Sequence, residues 1–173
     1  ALAQQGKTIN IVIRNGRAVG AIALIDVIRE ESREAIKTLL DMGVKTAMIT
    51  GDHQKVAEAV GQELGIERIF AEVLPEDKAK YVKKLQDEGK FVAMVGDGIN
   101  DAPALAQSDI GIAIGAGTDV AKETGNIILA KSDPYDIVRA IILSKATVRK
   151  MKQNLFWAAF YNVSAIPVAA GVF

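Results

Sequence analysis

Cysteine is absent from the sequence, and histidine occurs once, at His53. Disulfide frameworks, thiolate metal sites and imidazole clusters are thereby excluded within the chain, so a bound metal must be held by oxygen. Neither sign of charge is in excess, because 21 basic side chains balance 21 acidic ones. No overall field draws the chain to nucleic acid or to acidic lipid, and a phosphate group has to be bound by a local site. Nucleic acid is therefore not an expected partner. No signal-peptide or lipidation pattern is visible, and the chain opens on Ala1 rather than on Met. A cut edge is expected there, making the chain a carboxy-terminal piece of a longer polypeptide.

Half of the 173 residues are hydrophobic, enough for one complete core plus an appendage. Ile9 to Arg14 and Ala18 to Ile25 are β-rich runs separated by Asn15-Gly16, the strongest short-range signal for a hairpin. From Asp26 onward, helical periods alternate with short apolar runs closed by glycine. The spacing predicts helices over Ser32 to Met42, Gln54 to Leu64, Ala102 to Gln107 and Asp119 to Thr124, with another opening at Pro75. Strands are expected over Val44 to Ile49, Ile69 to Val73, Ile110 to Ile114 and Ile127 to Leu129, with Phe91 to Val95 as a buried, all-apolar one. The expected fold is α/β, a doubly wound, mainly parallel sheet with an N-terminal β-hairpin, its functional loops at the carboxyl ends of the strands.

A last helix is expected from near Pro134. It carries Arg149, Lys150 and Lys152 and then enters Leu155 to Phe173, which has no charged residue. That run reaches the lower end of the roughly 17–25 residues a membrane helix needs. The basic cluster would face the cytoplasm with Trp157 near the interface, and a buried helix of the soluble domain is the alternative.

Three loops carry candidate chemistry. Gly96 to Asp101 reads Gly-Asp-Gly-Ile-Asn-Asp directly after an apolar strand, and its Asp97 and Asp101 are two hard carboxylates suited to Mg²⁺ beside a phosphate. The Asn100 amide can donate to a phosphate oxygen, while the bland alternative is an Asp-Gly turn capping the next helix. Thr50-Gly51-Asp52 has the same placement, where a helix amino end and a hydroxyl receive a phosphoryl oxygen; the alternative is Thr50 as an ordinary N-cap. Lys78, in the first turn or so of a helix, can direct its ammonium at that phosphate. Asp26 ends a strand, but no Asp-x-Asp follows it, and an ion pair with Arg29 suits it better than a nucleophile's role. The glycine-rich phrase Ile110 to Glu123 does not fit a dinucleotide loop, and a tight turn into a helix capped by Thr118 accounts for it.

The Asp26–Arg29 pair, Thr50 to Asp52, the Leu-Pro-Glu-Asp-Lys phrase ending at Lys78, and Met94 to Glu123 resemble, in order and spacing, the phosphorylation domain of P-type ATPases, a branch of the haloacid-dehalogenase-like, Rossmann-like fold. The resemblance covers nearly the whole chain. It implies that Thr50, Gly51, Asp52 and Lys78 hold the phosphoryl group of an aspartyl-phosphate, that Asp97 and Asp101 coordinate Mg²⁺, and that Asn100 and Asp101 complete the catalytic set. Residues 1–25 resemble the end of the nucleotide-binding domain and its hinge, 26–150 the phosphorylation domain, and 151–173 the start of a transmembrane helix. Met151 to Gly171 is similar to the heavy-metal branch, in particular exporters of monovalent copper or silver, where a Tyr-Asn pair lies on the metal path. Here that pair is Tyr161 and Asn162, a polar pair that could alternatively join helices by hydrogen bonds. The implied partners are ATP, the transported metal, the membrane, and actuator, nucleotide-binding and membrane domains of the same polypeptide. The Asp-Lys-Thr-Gly-Thr motif with the nucleophile is missing from the chain. The chain alone is therefore expected to be inactive. Other readings are a zinc- or cadmium-type pump, a soluble phosphatase using Asp26, and a non-enzymatic truncated module.

Overall fold

A computed structural model describes residues 8–24, 27–96, 100–115 and 126–171. The chain divides into two compact units, Ala1–Asp136 and Ile137–Phe173.

The first unit opens with the expected hairpin, β1 (Thr8–Arg14) and β2 (Arg17–Leu24), paired antiparallel. Asn15 and Gly16 both take positive φ (49° and 75°), the twist that a two-residue turn needs to match its flanking strands. A register shift interrupts the ladder between Val12 and Ile13. Ile11, Ile13, Val19 and Ile22 are all exposed.

An α/β alternation follows: α1 (Glu30–Asp41), β3 (Ala47–Ile49), α2 (Gln54–Leu64), β4 (Arg68–Phe70), a 3-10 turn at Pro75–Asp77, α3 (Lys78–Asp87), β5 (Ala93–Gly96), α4 (Ala102–Gln107), β6 (Ile110–Ile114) and β7 (Ile127–Leu129). All ladders among β3 to β7 are parallel, with α2 as the crossover between β3 and β4 and α4 as that between β5 and β6. They form two sets by hydrogen bonding, β3-β4 and β5-β6-β7. Asn126 extends the second set: its N–H donates to the Gly111 carbonyl at 2.8 Å, and its Oδ1 accepts the Gly111 N–H at 2.8 Å. The helix expected over Asp119 to Thr124, with its Thr118 cap, lies outside the described residues.

Small residues allow the layers to approach. Ala35 on α1, Ala57 on α2 and Ala104 on α4 are buried, and Leu105 packs on Ala113 with Met94 beside them. Gly111 shows how close the approach is, since a Cβ there would lie 2.8 Å from the Leu105 carbonyl oxygen.

One expectation is corrected. Phe91 to Val95 is not one buried strand: β5 starts at Ala93, and Phe91 is 76% exposed. The backbone at Val92 leaves the ladder because Asp109 captures it. The Val92 N–H donates to the Asp109 carboxylate at 2.7 Å, and the Val92 carbonyl accepts the N–H groups of Asp109 and Ile110.

The last helix is a single long one. α5 (Tyr135–Ala169) starts where Asp133 accepts the Tyr135 N–H at 2.9 Å, with Pro134 between them. It runs unbroken through Pro167. Yet among the described residues no helix is long and apolar enough to cross a membrane. Phe156, Trp157 and Phe160 form an aromatic cluster on this helix, with ring centroids 5.6 to 6.1 Å apart.

Gly111→Ala should lower stability by about 1–3 kcal/mol, because backbone rather than a flexible side chain must yield. Gly20→Ala, with open space around it, should stay within about 0.5 kcal/mol of the parent. Chemical denaturation measures both. A pH dependence follows from Asp109. The Val92 N–H and the Gln86 amide hold its carboxyl below the usual carboxylate range. Its contribution is present above the ordinary Asp value of about 4 and is lost as pH falls through the lower folded value. The thermal-midpoint gap between the parent and Asp109→Asn should be widest near neutral pH and close in acid.

Candidate functional site

The site is built from two strand ends. At the first, the ladder of β3 on β4 continues one bond further, from the Thr50 N–H to the Phe70 carbonyl at 2.9 Å. The Thr50 hydroxyl donates to the Asp52 carboxylate at 2.8 Å and accepts the Asp52 N–H at 3.2 Å. This closes a tight turn around Gly51. Thr50 is not the N-cap of α2. His53 occupies that position and makes no side-chain bond to the first turn. Gly51, Asp52 and His53 are exposed.

Backbone bonds carry the geometry onward. The N–H of Glu72 donates to the Asp52 carbonyl at 2.9 Å, and that of Val73 donates to the Thr50 carbonyl at 3.0 Å. From Val73 the chain passes through the Pro75–Asp77 turn directly into Lys78, the first residue of α3. The Thr50 loop and Lys78 are thus positioned by one short, hydrogen-bonded segment.

The second strand end is Gly96, and α4 begins at Ala102. Asp101 sits at the N-cap of α4 but makes no side-chain cap bond. Its carboxylate turns instead to Lys78, with Oδ1 accepting from Nζ at 2.6 Å. Both side chains are largely out of water, 17% and 13% exposed. The other oxygen, Oδ2, lies over Gly96, where a Cβ would come within 2.5 Å of it. Glycine is required at 96 by this approach, a packing reason that no turn rule identifies.

Of the expected site residues, the structure brings Lys78 and Asp101 into contact and fixes Thr50, Gly51 and Asp52 in one turn. Asn100 is exposed beside Asp101. Asp97 lies outside the described residues, as does Asp26 with its expected pairing to Arg29. Arg29 forms the N-cap of α1, its carbonyl accepting the Ser32 and Arg33 N–H groups. Tyr161 and Asn162 are exposed on α5 in the second unit. Among the described residues, no three carboxylates or imidazoles converge as a metal cluster. Of the two carboxylates expected to hold Mg²⁺, Asp101 is the one among the described residues, and Lys78 engages its Oδ1 while Oδ2 stays over Gly96.

Sequence reading did not single out Glu72. It has a positive φ of 55°, and its carboxylate lies 3.3 Å from the His53 Nδ1.

A family model described as haloacid dehalogenase-like hydrolase matches residues 1–109. The chain belongs to the haloacid dehalogenase-like hydrolases. Within that family, it is 58% identical over 172 residues to the copper-exporting P-type ATPase B of Archaeoglobus fulgidus, a match covering 99% of this chain and 25% of that protein. It is 52% identical over 171 residues to a probable copper-transporting P-type ATPase B of Staphylococcus aureus, again covering 99% and 25%. A zinc-transporting PIB-type ATPase crystallised in its E2.Pi state superposes with a TM-score of 0.84 at 40% identity, covering 99% of this chain and 28% of that one. This haloacid dehalogenase-like chain spans about a quarter of the length of the curated relatives it matches.

Removing one member of the half-buried ion pair strands the other charge. Lys78→Met and Asp101→Asn should each destabilise the chain by about 2–3 kcal/mol, somewhat below the ~3–5 kcal/mol typical of a fully buried pair. The double variant should lose less than the two single losses added. A double-mutant cycle in urea reads the coupling directly.

Proposed function

We propose that this chain forms the phosphoryl-handling part of a P-type ATPase that exports monovalent copper or silver, working through an aspartyl-phosphate. The observation that carries the reading is the Lys78–Asp101 pair, an ammonium held at 2.6 Å at the carboxyl edge of a parallel sheet. The high identity to copper-exporting relatives along the whole chain supports the choice of metal.

In this reading, residues 1–25 close the nucleotide-binding domain, 26–150 belong to the phosphorylation domain and 151–173 begin a transmembrane helix. ATP is the substrate, the metal ion is the cargo, and the remaining domains of a longer polypeptide supply the nucleophile. The Thr50 hydroxyl exchanges its Asp52 partner for a phosphoryl oxygen, and the Gly51 and Asp52 backbone lies at the open start of α2, where anions are favoured. Lys78 supplies positive charge from the other side, and Asp101 keeps it aimed. Asn100 donates to a phosphoryl oxygen without adding charge. Asp97 and Asp101 are the residues that would hold Mg²⁺, which when bound neutralises phosphate charge. Tyr161 and Asn162 are assigned to the metal path, and the soluble part to the cytoplasm.

A second reading, zinc as cargo, is favoured by the likeness to the zinc-transporting structure. The cargo is decided by which ion, Cu⁺ or Zn²⁺, stimulates ATP hydrolysis by the longer protein.

Incubated with ATP and Mg²⁺, the chain alone should show no sustained hydrolysis. In the longer polypeptide, ATP should yield an acid-stable, hydroxylamine-sensitive phosphoenzyme. Thr50→Ala or Lys78→Ala should slow its formation about 100-fold, the usual loss for one preorganised electrostatic donor. Turnover by the isolated chain, or an undiminished phosphoenzyme in both variants, would sink the reading.

A further inference from the structure

We propose that Glu72 is a positioning residue for the phosphate-binding turn Thr50–Asp52 and acts through its left-handed backbone rather than its carboxylate. The role of the turn rests on the function proposed above.

In a regular parallel ladder, the bond from the Thr50 N–H to the Phe70 carbonyl would be followed by one from the residue 72 N–H to the Thr50 carbonyl. Here the Thr50 carbonyl accepts from Val73 instead, at 3.0 Å. Glu72 is the extra residue of a bulge. Its φ of 55° swings its N–H out of the ladder and onto the Asp52 carbonyl at 2.9 Å. One inserted residue thus fastens both ends of the Thr50–Asp52 turn. Gly51 lies against the same segment, with the Val73 carbonyl oxygen 3.5 Å from where a Cβ would stand. Six residues after Glu72 comes Lys78, so the bulge also sets where the ammonium enters relative to the turn.

The side chain has little part in this. Glu72 is 61% exposed, and its contact is with His53, itself 91% exposed. Left-handed backbone suits glycine and is tolerated by asparagine, whereas a β-branched residue resists it. The two origins of the effect, conformation and carboxylate, therefore separate by substitution.

Glu72→Gly, Glu72→Gln and Glu72→Val are to be compared by amide hydrogen exchange in this chain and by the rate of phosphoenzyme formation in the longer enzyme. Exchange at the residue 72 and 73 amides should quicken about tenfold in Glu72→Val, with the Ile112 amide in the core unchanged. Phosphoenzyme formation should slow by a similar factor at unchanged apparent ATP affinity. Glu72→Gly and Glu72→Gln should match the parent in both. If Glu72→Val fails to fold, Glu72→Asn against Glu72→Ala decides, with Asn expected to be the better protected. Parent-like behaviour of Glu72→Val overturns the proposal. So does an equal loss in Glu72→Gly, which would make the carboxylate responsible. Failure of the underlying site reading is seen separately, as a normal phosphoenzyme in Thr50→Ala.

Discussion

Lys78 and Asp101 start two different helices, and their ion pair stitches those helices together at the edge of the sheet. Neither charge could sit so far from water without the other. The pair in turn dictates its surroundings. Gly96 must lack a side chain for Asp101 to lie over it, and the cap position of α4 surrenders its usual hydrogen bond so that the carboxylate can turn towards the ammonium. A local stabilising contact is given up where a charge has to be aimed, a trade expected at functional sites.

Around this pair the core is made of close approaches more than of large side chains. In the first unit Leu105 and Val82 are the largest fully buried side chains described, and Ala104, Gly111 and Ala113 let α4 rest almost directly on β6. Such an arrangement is stiff, because backbone pressed on backbone has no rotamer to change. Stiffness there benefits the site, as β5, α4 and β6 together fix where Asp101 stands.

Much of this was legible in the residues. α2, α4, β6 and β7 begin and end where periodicity and punctuation place them, because glycine stops, a helix-opening proline and β-branched runs act locally. Asn15-Gly16 specified its turn for the same reason. Phe91 misled, since hydrophobicity cannot reveal that Asp109, distant in sequence, will draw the Val92 backbone out of the ladder. In the candidate site, residue types drew attention to Lys78, Thr50 and Asp101, which suit the phosphate chemistry proposed for them. Glu72 stayed hidden. The role proposed for it lies in a φ angle, and glutamate carries no mark of a left-handed turn; the hydrogen bonds of two neighbouring strands accompany it.

The hairpin β1-β2 remains. It is a two-stranded ribbon with Ile11, Ile13, Val19 and Ile22 in solvent, and such ribbons are marginal when they stand on their own ladder and turn. Its local opening free energy therefore lies at the low end for this chain, well below that of the strands beneath α4. Among the described residues it pairs with no further strand, and its exposed apolar side chains flank an edge of the kind that can template pairing with another chain.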